Sequence, residues 1–312
     1  MWELLINMSL VTCLALGGNM ELLQLKYFQT VARLQHITKA ANELNISQPA
    51  LSIIISRLEE ELGTSLFERK GRNIELNEIG KVFLKHINTV FNELDSAKQE
   101  VKDMLNIEDK CVSLATTNTK FLTGILPEFI TKNPDITISQ FYNTRKFNEE
   151  SLRSGEVDFC ISSPPLEGND IEGAVLREEE IFLVVPLNHR FADRHSIKLN
   201  EVANDPFIAL APNHSYRGIT DELCHLAGFC PKIIFEVDDA LMFEILQLNK
   251  GIALIPRWAI QMYAAWEGHM KVISIEEPNA RLRIGLSWLK NKYKSEAALN
   301  FKEFVINYYN KK

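Results

Sequence analysis

From Met20 onward the apolar positions recur first with a helical period, then with a strand-like one, and later with both in alternation. Residues 37–63 resolve into two short helices joined by a tight turn. Thr38 stands where it would cap the first; Ala40 and Ala41 are small enough for a close helix crossing. Asn45, tolerant of left-handed geometry, ends it. Ser47 is a strong N-cap for the second helix, and Pro49 falls in its first turn, where no backbone donor is lost. Leu51, Ile55, Leu58 and Leu62, spaced by four, three and four residues, form that helix's buried face, and Gly63 stops it. Residues 67–74 read as a strand, a tight turn and a second strand.

A helix, a turn and a capped second helix form an arrangement that reads DNA through the start of the second helix. Ser47, Gln48, Pro49, Ser52, Ile53, Ser56 and Arg57 lie on or near that presented end, with Thr38 on the preceding helix. Arg69, Lys70 and Arg72 in the following hairpin would reach phosphates. Residues 20–80 resemble the winged helix-turn-helix of LysR-type transcriptional regulators. The resemblance rests on Leu25-Lys26-Tyr27-Phe28, Ala40-Ala41, the run from Ser47 to Ser52, the run from Arg57 to Gly63, and Leu66-Phe67-Glu68-Arg69. It is looser beyond, at Leu126-Pro127, Gly155-Glu156-Val157-Asp158, Ala227-Gly228-Phe229 and the run from Gly251 to Pro256. It implies a DNA-binding domain, a linker helix and a two-lobed, periplasmic-binding-protein-like α/β effector domain. One departure stands out: Ile53 and Ile54 occupy positions where that family commonly carries polar or basic residues. Ile53 is either tolerated surface apolarity or a contact with the linker helix on one reading, and an apolar contact to thymine methyl groups on the other.

Residues 78–107 read as one long helix with apolar positions Ile79, Phe83, Ile87, Val90, Leu94, Ala97, Val101 and Met104. Steps of three and four are close to a heptad seam, and about 30 residues span about 45 Å. A paired helix would set two winged domains on half-sites, and the resemblance implies a dimer of dimers. The rival reading is an amphipathic helix packed on its own domain.

Beyond about residue 110, short β-rich runs (112–115, 136–141, 157–161, 181–185) alternate with helical segments, the pattern of βαβ units and a mostly parallel sheet. The expected organisation is a winged helix-turn-helix over 20–77, a dimerisation helix over 78–107 and an effector domain over 110–312. Its first lobe would take about 110–183 and 284–312, and its second about 184–283. Thr117, Asn118 and Thr119 follow the first strand, Thr144 the second and Ser162-Ser163 the third, while Asn213 and Ser215 precede a helix. Each is a natural N-cap, and each also suits a small effector, an organic acid better than a bulky hydrophobe.

Composition narrows the alternatives. The 312 residues carry 34 basic and 41 acidic side chains, a net charge of −7 that argues against nucleic acid as a partner until it is divided along the chain. Residues 20–80 hold seven basic and eight acidic groups, so attraction to DNA must come from a small basic wing and from helix N-termini. No apolar run approaches the ~18 residues of a membrane span. There is no HExxH, GxSxG or Walker loop, so no catalysis, metal or cofactor is expected. His189, His195, His214 and His225 show no ligand spacing. Five cysteines without a CxxC pair fit a reducing cytoplasm, although Cys224 and Cys230 invite a thiol-switch reading. Residues 1–19 are apolar with the single charge Glu3, and lack a basic start and a clear cleavage site. They read as translated leader ahead of a true start at Met20, with an extra helix or anchor as the rival. The different-class alternatives are a solute-binding protein or an α/β enzyme with a helical appendage.

Overall fold

The computed structural model describes residues 20–70, 73–105, 110–212, 214–262 and 268–311. The expectations for residues 1–19, Arg72 and Asn213 therefore lie outside the described residues. The chain forms two compact units, one ending at Ala97 and the other beginning at Lys98.

The first unit comprises α1 (Leu22–Leu34), α2 (Ile37–Glu43), α3 (Gln48–Leu62), the hairpin β1 (Phe67–Lys70) and β2 (Asn73–Leu76), and the start of α4 (Glu78–Met104). Phe28 is fully buried at its centre, 5.5 Å from the ring of Phe67 and 5.2 Å from that of Phe83. Burying such a side chain stabilises by about 1.5–3 kcal/mol. Ala40 and Ala41 are buried where α2 meets α1 and α3, as close crossing requires. Asn45 adopts φ 55° and Gly63 φ 69°, the left-handed stops that the sequence marks. The cap of α2 differs from expectation. It is His36, whose Nδ1 accepts from the Lys39 N–H (3.4 Å), while Thr38 lies exposed within the first turn.

The long helix divides the expected seam between two faces. Ile87 is buried and Phe83 is packed on Phe28, so both belong to the core of their own unit rather than to a dimer seam. Ile79, Val90, Leu94, Val101 and Met104 are exposed. The heptad count could not separate these sets because neighbouring helix faces share three- and four-residue steps.

The second unit is built on one long strand, β6 (Ile171–Pro186). Its first half pairs with β12 (Arg281–Leu289), which continues to β5 (Phe159–Ser162), β3 (Cys111–Thr116) and β4 (Thr137–Tyr142). Its second half pairs with β10 (Ala253–Pro256) and β11 (Met270–Ile275), and β11 with the short β7 (Ser196–Ile197). A parallel pair, β8 (Pro206–Leu210) and β9 (Lys232–Val237), joins through a bridge from Phe207 to Ile252. The halves therefore exchange chain near Glu180–Ile181 and Ala280–Arg281. Parallel pairing holds for β3, β4 and β5, for β8 with β9, and for β11 with β7; the crossing strands are antiparallel to their neighbours. That is less parallel than the alternation predicts, because residues 181–185 end a 16-residue strand instead of standing alone.

In the first half, α5 (Ile125–Lys132), α6 (Arg145–Arg153) and α10 (Glu296–Asn310) cover the sheet, with the ring of Phe301 against those of Phe129 and Phe159. In the second half, α7 (Arg217–Leu226), α8 (Asp239–Leu246) and α9 (Arg257–Met262) enclose a separate core around Leu183, Leu199 and Leu246.

Candidate DNA-reading helix and effector pocket

The start of α3 is built by its own sequence. Ser47 Oγ accepts from the Ala50 N–H (3.3 Å), satisfying one free amide of the first turn. Gln48 Nε2 donates to Ser52 Oγ (2.8 Å), which fixes the glutamine along the helix edge. Leu51, Ile55 and Leu58 face the core, while Ser47, Gln48, Pro49, Ile53, Ser56 and Arg57 are exposed and Ser52 is half-buried. Arg69 is exposed on β1; Lys70 is on the same strand, opposite Asn73. Thr38 is the one expected contact on a different helix, and it too is exposed.

The hairpin is held against α3 by residues outside the expected DNA contacts. Glu59, on the far half of α3, accepts at Oε1 from the N–H groups of Leu66 (2.7 Å) and Phe67 (3.3 Å). Asn77 donates through Nδ2 to Ser65 O (2.7 Å) and accepts at Oδ1 from the Gly80 N–H (2.8 Å). A Cβ at Gly80 would fall 2.1 Å from Leu66 O, so only glycine permits this approach. The spacing of Asn77 ahead of Gly80, three residues apart at a helix start, was the available signal.

In the second unit, capping accounts for several of the expected effector contacts. Asn118 Oδ1 accepts from the Lys120 N–H (2.9 Å), Thr144 Oγ1 from the Phe147 N–H (3.4 Å), and Ser162 Oγ donates to Pro164 O (2.8 Å). Thr119 is exposed, in a short 3₁₀ turn. Three other hydroxyls are buried without a partner among the described residues: Thr117 Oγ1, Ser163 Oγ and Ser215 Oγ. Thr117 and Ser163 extend from the C-terminal ends of adjacent parallel strands, β3 and β5, and the Thr117 N–H donates to Ile161 O (3.3 Å). Ser215 stands between β8 and α7. Ser163, not Ser162, thus carries the free hydroxyl of its pair. Arg145, at the start of α6, donates to the carbonyls of Pro164 and Pro165 and holds that loop.

Cys224 is buried, and desolvation, followed by the nearby Asp221 charge, pushes its thiol up to about 12. A thiol so protonated is a poor nucleophile, and the thiol-switch alternative is not favoured. Among the described residues no three His, Cys, Asp or Glu side chains converge as a metal-ligand set. None of the described helices is long and apolar enough to cross a membrane.

A capped reading helix with a hairpin wing, followed by a two-lobed α/β unit, defines a DNA-binding transcriptional regulator with a ligand-binding domain. Residues 22–81 match the bacterial regulatory helix-turn-helix protein family, lysR type, and residues 111–309 match the LysR substrate binding domain. The chain belongs to the LysR family. It is 35% identical to the HTH-type transcriptional regulator YybE of Bacillus subtilis over 93% of this chain and 99% of that one. It is 32% identical to the transcriptional dual regulator GltC of the same organism, over 94% and 98% of the two chains. Among solved structures, the effector binding domain of QuiR in complex with shikimate is 28% identical, with a TM-score of 0.55, covering 64% of this chain and 97% of that one. The protein is a transcriptional regulator and not an enzyme, and the solute-binding and enzyme alternatives are not favoured.

Proposed function

We propose that this chain is a cytoplasmic regulator in which α3 enters the major groove and a small effector binds at the strand ends of the second unit. Ser47, Gln48, Ser52, Ser56 and Arg57 would meet the operator from the helix, and Arg69, Lys70 and Arg72 its phosphates from the wing. The exposed row Ile79, Val90, Leu94 and Val101 would pair with the same row of a second copy and set two reading helices on two half-sites. The effector shifts the arrangement of paired DNA-binding units only in so far as it binds one arrangement better than the other.

One observation carries the effector half of this reading: Thr117, Ser163 and Ser215 keep buried hydroxyls with no partner among the described residues. An unsatisfied buried hydroxyl costs stability, so its retention at three strand or helix ends speaks for a partner that arrives from outside. Donors of that kind suit the oxygens of a small hydroxylated or carboxylic acid, and the bound shikimate in the QuiR domain is a ligand of that chemistry. A thermal-shift screen of organic acids on the full chain tests the reading. Thr117→Val and Ser163→Ala should leave the ligand-free melting temperature unchanged or raised, because the deleted groups have no partner to lose. The same variants should bind the effector about three- to tenfold more weakly. A drop in ligand-free stability, or effector affinity unchanged in both variants, would contradict the assignment.

A further inference from the structure

We propose that Ile53 reads the 5-methyl group of a thymine in the major groove, so that this regulator discriminates one base in each half-site by an apolar contact. The proposal rests on α3 being the reading helix.

Three successive isoleucines step around α3 by about 100° per residue. Ile55 is buried at 5% exposure and Ile54 is half-buried, but Ile53 is 54% exposed. Its neighbours on the same outward row, Pro49 one turn before and Ser56 and Arg57 one turn after, are exposed as well. Ile53 thus sits in the middle of the helix face turned away from the core, within the first two turns, where a reading helix meets base edges. Gln48 and Ser52, beside it on the helix, are bonded to each other, Gln48 donating to Ser52 Oγ at 2.8 Å.

The chemistry of the groove then selects the partner. A major-groove base edge offers hydrogen-bond donors, acceptors and a single apolar group, the thymine methyl. An isoleucine facing a guanine, cytosine or adenine edge would desolvate polar atoms and return no hydrogen bond. Facing a thymine it buries a methyl group and loses no polar contact. Its β-branch already restricts it to one main rotamer on a helix, so little side-chain entropy is lost on contact. A protein partner is the weaker fit, because one isoleucine beside a proline in a row with serine and arginine is far smaller than the apolar centre of a stable interface.

The test removes the methyl group alone. Sites are selected from a random duplex library with the full chain, and each thymine of the selected site is replaced singly by deoxyuridine. The wild-type chain should bind about fourfold more weakly at one thymine of each half-site, the worth of one buried methyl group. Ile53→Ala should bind thymine and uracil alike at that position, with an unchanged helical circular dichroism spectrum and an intact response to every other base. Indifference of the wild-type chain to uracil at every position would overturn the proposal, as would a uracil penalty that persists undiminished in Ile53→Ala. Neither result would disturb the reading of α3 as the DNA-contacting helix, whereas failure to select any sequence would remove that reading and this proposal together.

Discussion

Single side chains in this protein do unlike work with like chemistry, and burial decides which. Ser47 and Ser163 are both serines next to helix or strand ends, yet one caps α3 and the other keeps a buried hydroxyl with no partner. Glu179 on β6 shows the same dependence on surroundings. It is 3% exposed, and desolvation raises its pKa above the ordinary glutamate range although Arg177 Nε lies 2.6 Å away and Arg177 and Arg257 pull the other way. At pH values between the ordinary glutamate pKa and the raised one, the native state keeps more of this proton than the unfolded chain does. Stability contributed by Glu179 is therefore full below the ordinary glutamate range and declines as pH rises through the raised value. Melting temperatures measured across that range should fall less steeply with pH in Glu179→Gln than in the wild type; equal slopes would show that Glu179 ionises normally. Sequence legibility at this scale follows from the same cause. Ser47, Pro49 and Gly63 were readable because local backbone geometry fixes their roles. The burial of Glu179 depends on chain segments distant in sequence, whereas the cap at His36 instead of Thr38 and the bond of Ser162 to Pro164 O turn on side-chain choices among near neighbours that residue type alone does not separate.

Elements were legible where one buried face sets the period and ambiguous where two faces compete. In α3 a single core face spaces Leu51, Ile55 and Leu58, and the expected helix matches the observed one closely. In α4 the apolar positions serve two faces, so one seam was counted where Ile87 and Phe83 turn inward and Val90 and Leu94 outward. This division makes the pairing of α4 testable by contrast. Val90→Lys together with Leu94→Lys should lower the mass observed by sedimentation and leave the melting temperature nearly unchanged, since exposed positions lose no core contact. Ile87→Lys should instead unfold the winged unit, because it buries an unpaired charge. If the double variant kept the wild-type mass, the exposed row would not be the pairing surface. The wing was legible from its turn and its basic residues, but its attachment was not. Glu59 and Asn77 hold it through hydrogen bonds to the backbone of residues 65–67, and only the folded chain brings those groups together.

At the scale of the whole molecule, the negative total charge proved to be a property of the part that does not touch DNA. Residues 20–80 are nearly neutral, and the remainder after Met20 carries most of the excess acid. A reader with its cations confined to a small wing must discriminate through the geometry and chemistry of α3 rather than through bulk attraction, while the wing's phosphate contacts still make its binding fall with salt. The order of domains was readable because the helix-turn-helix, the long helix and the α/β alternation have different periods. The antiparallel crossing of β6 and β12, which joins the two halves of the second unit, was not, since strand direction leaves no mark in a hydrophobic run. The central claim, sequence-selective DNA reading by a near-neutral domain, is tested most directly by fluorescence anisotropy of the full chain. The comparison is between a duplex from upstream of its own gene and a scrambled duplex of the same composition. The account predicts at least about a thousandfold preference for the upstream duplex at physiological salt. Equal affinity for both duplexes would contradict it.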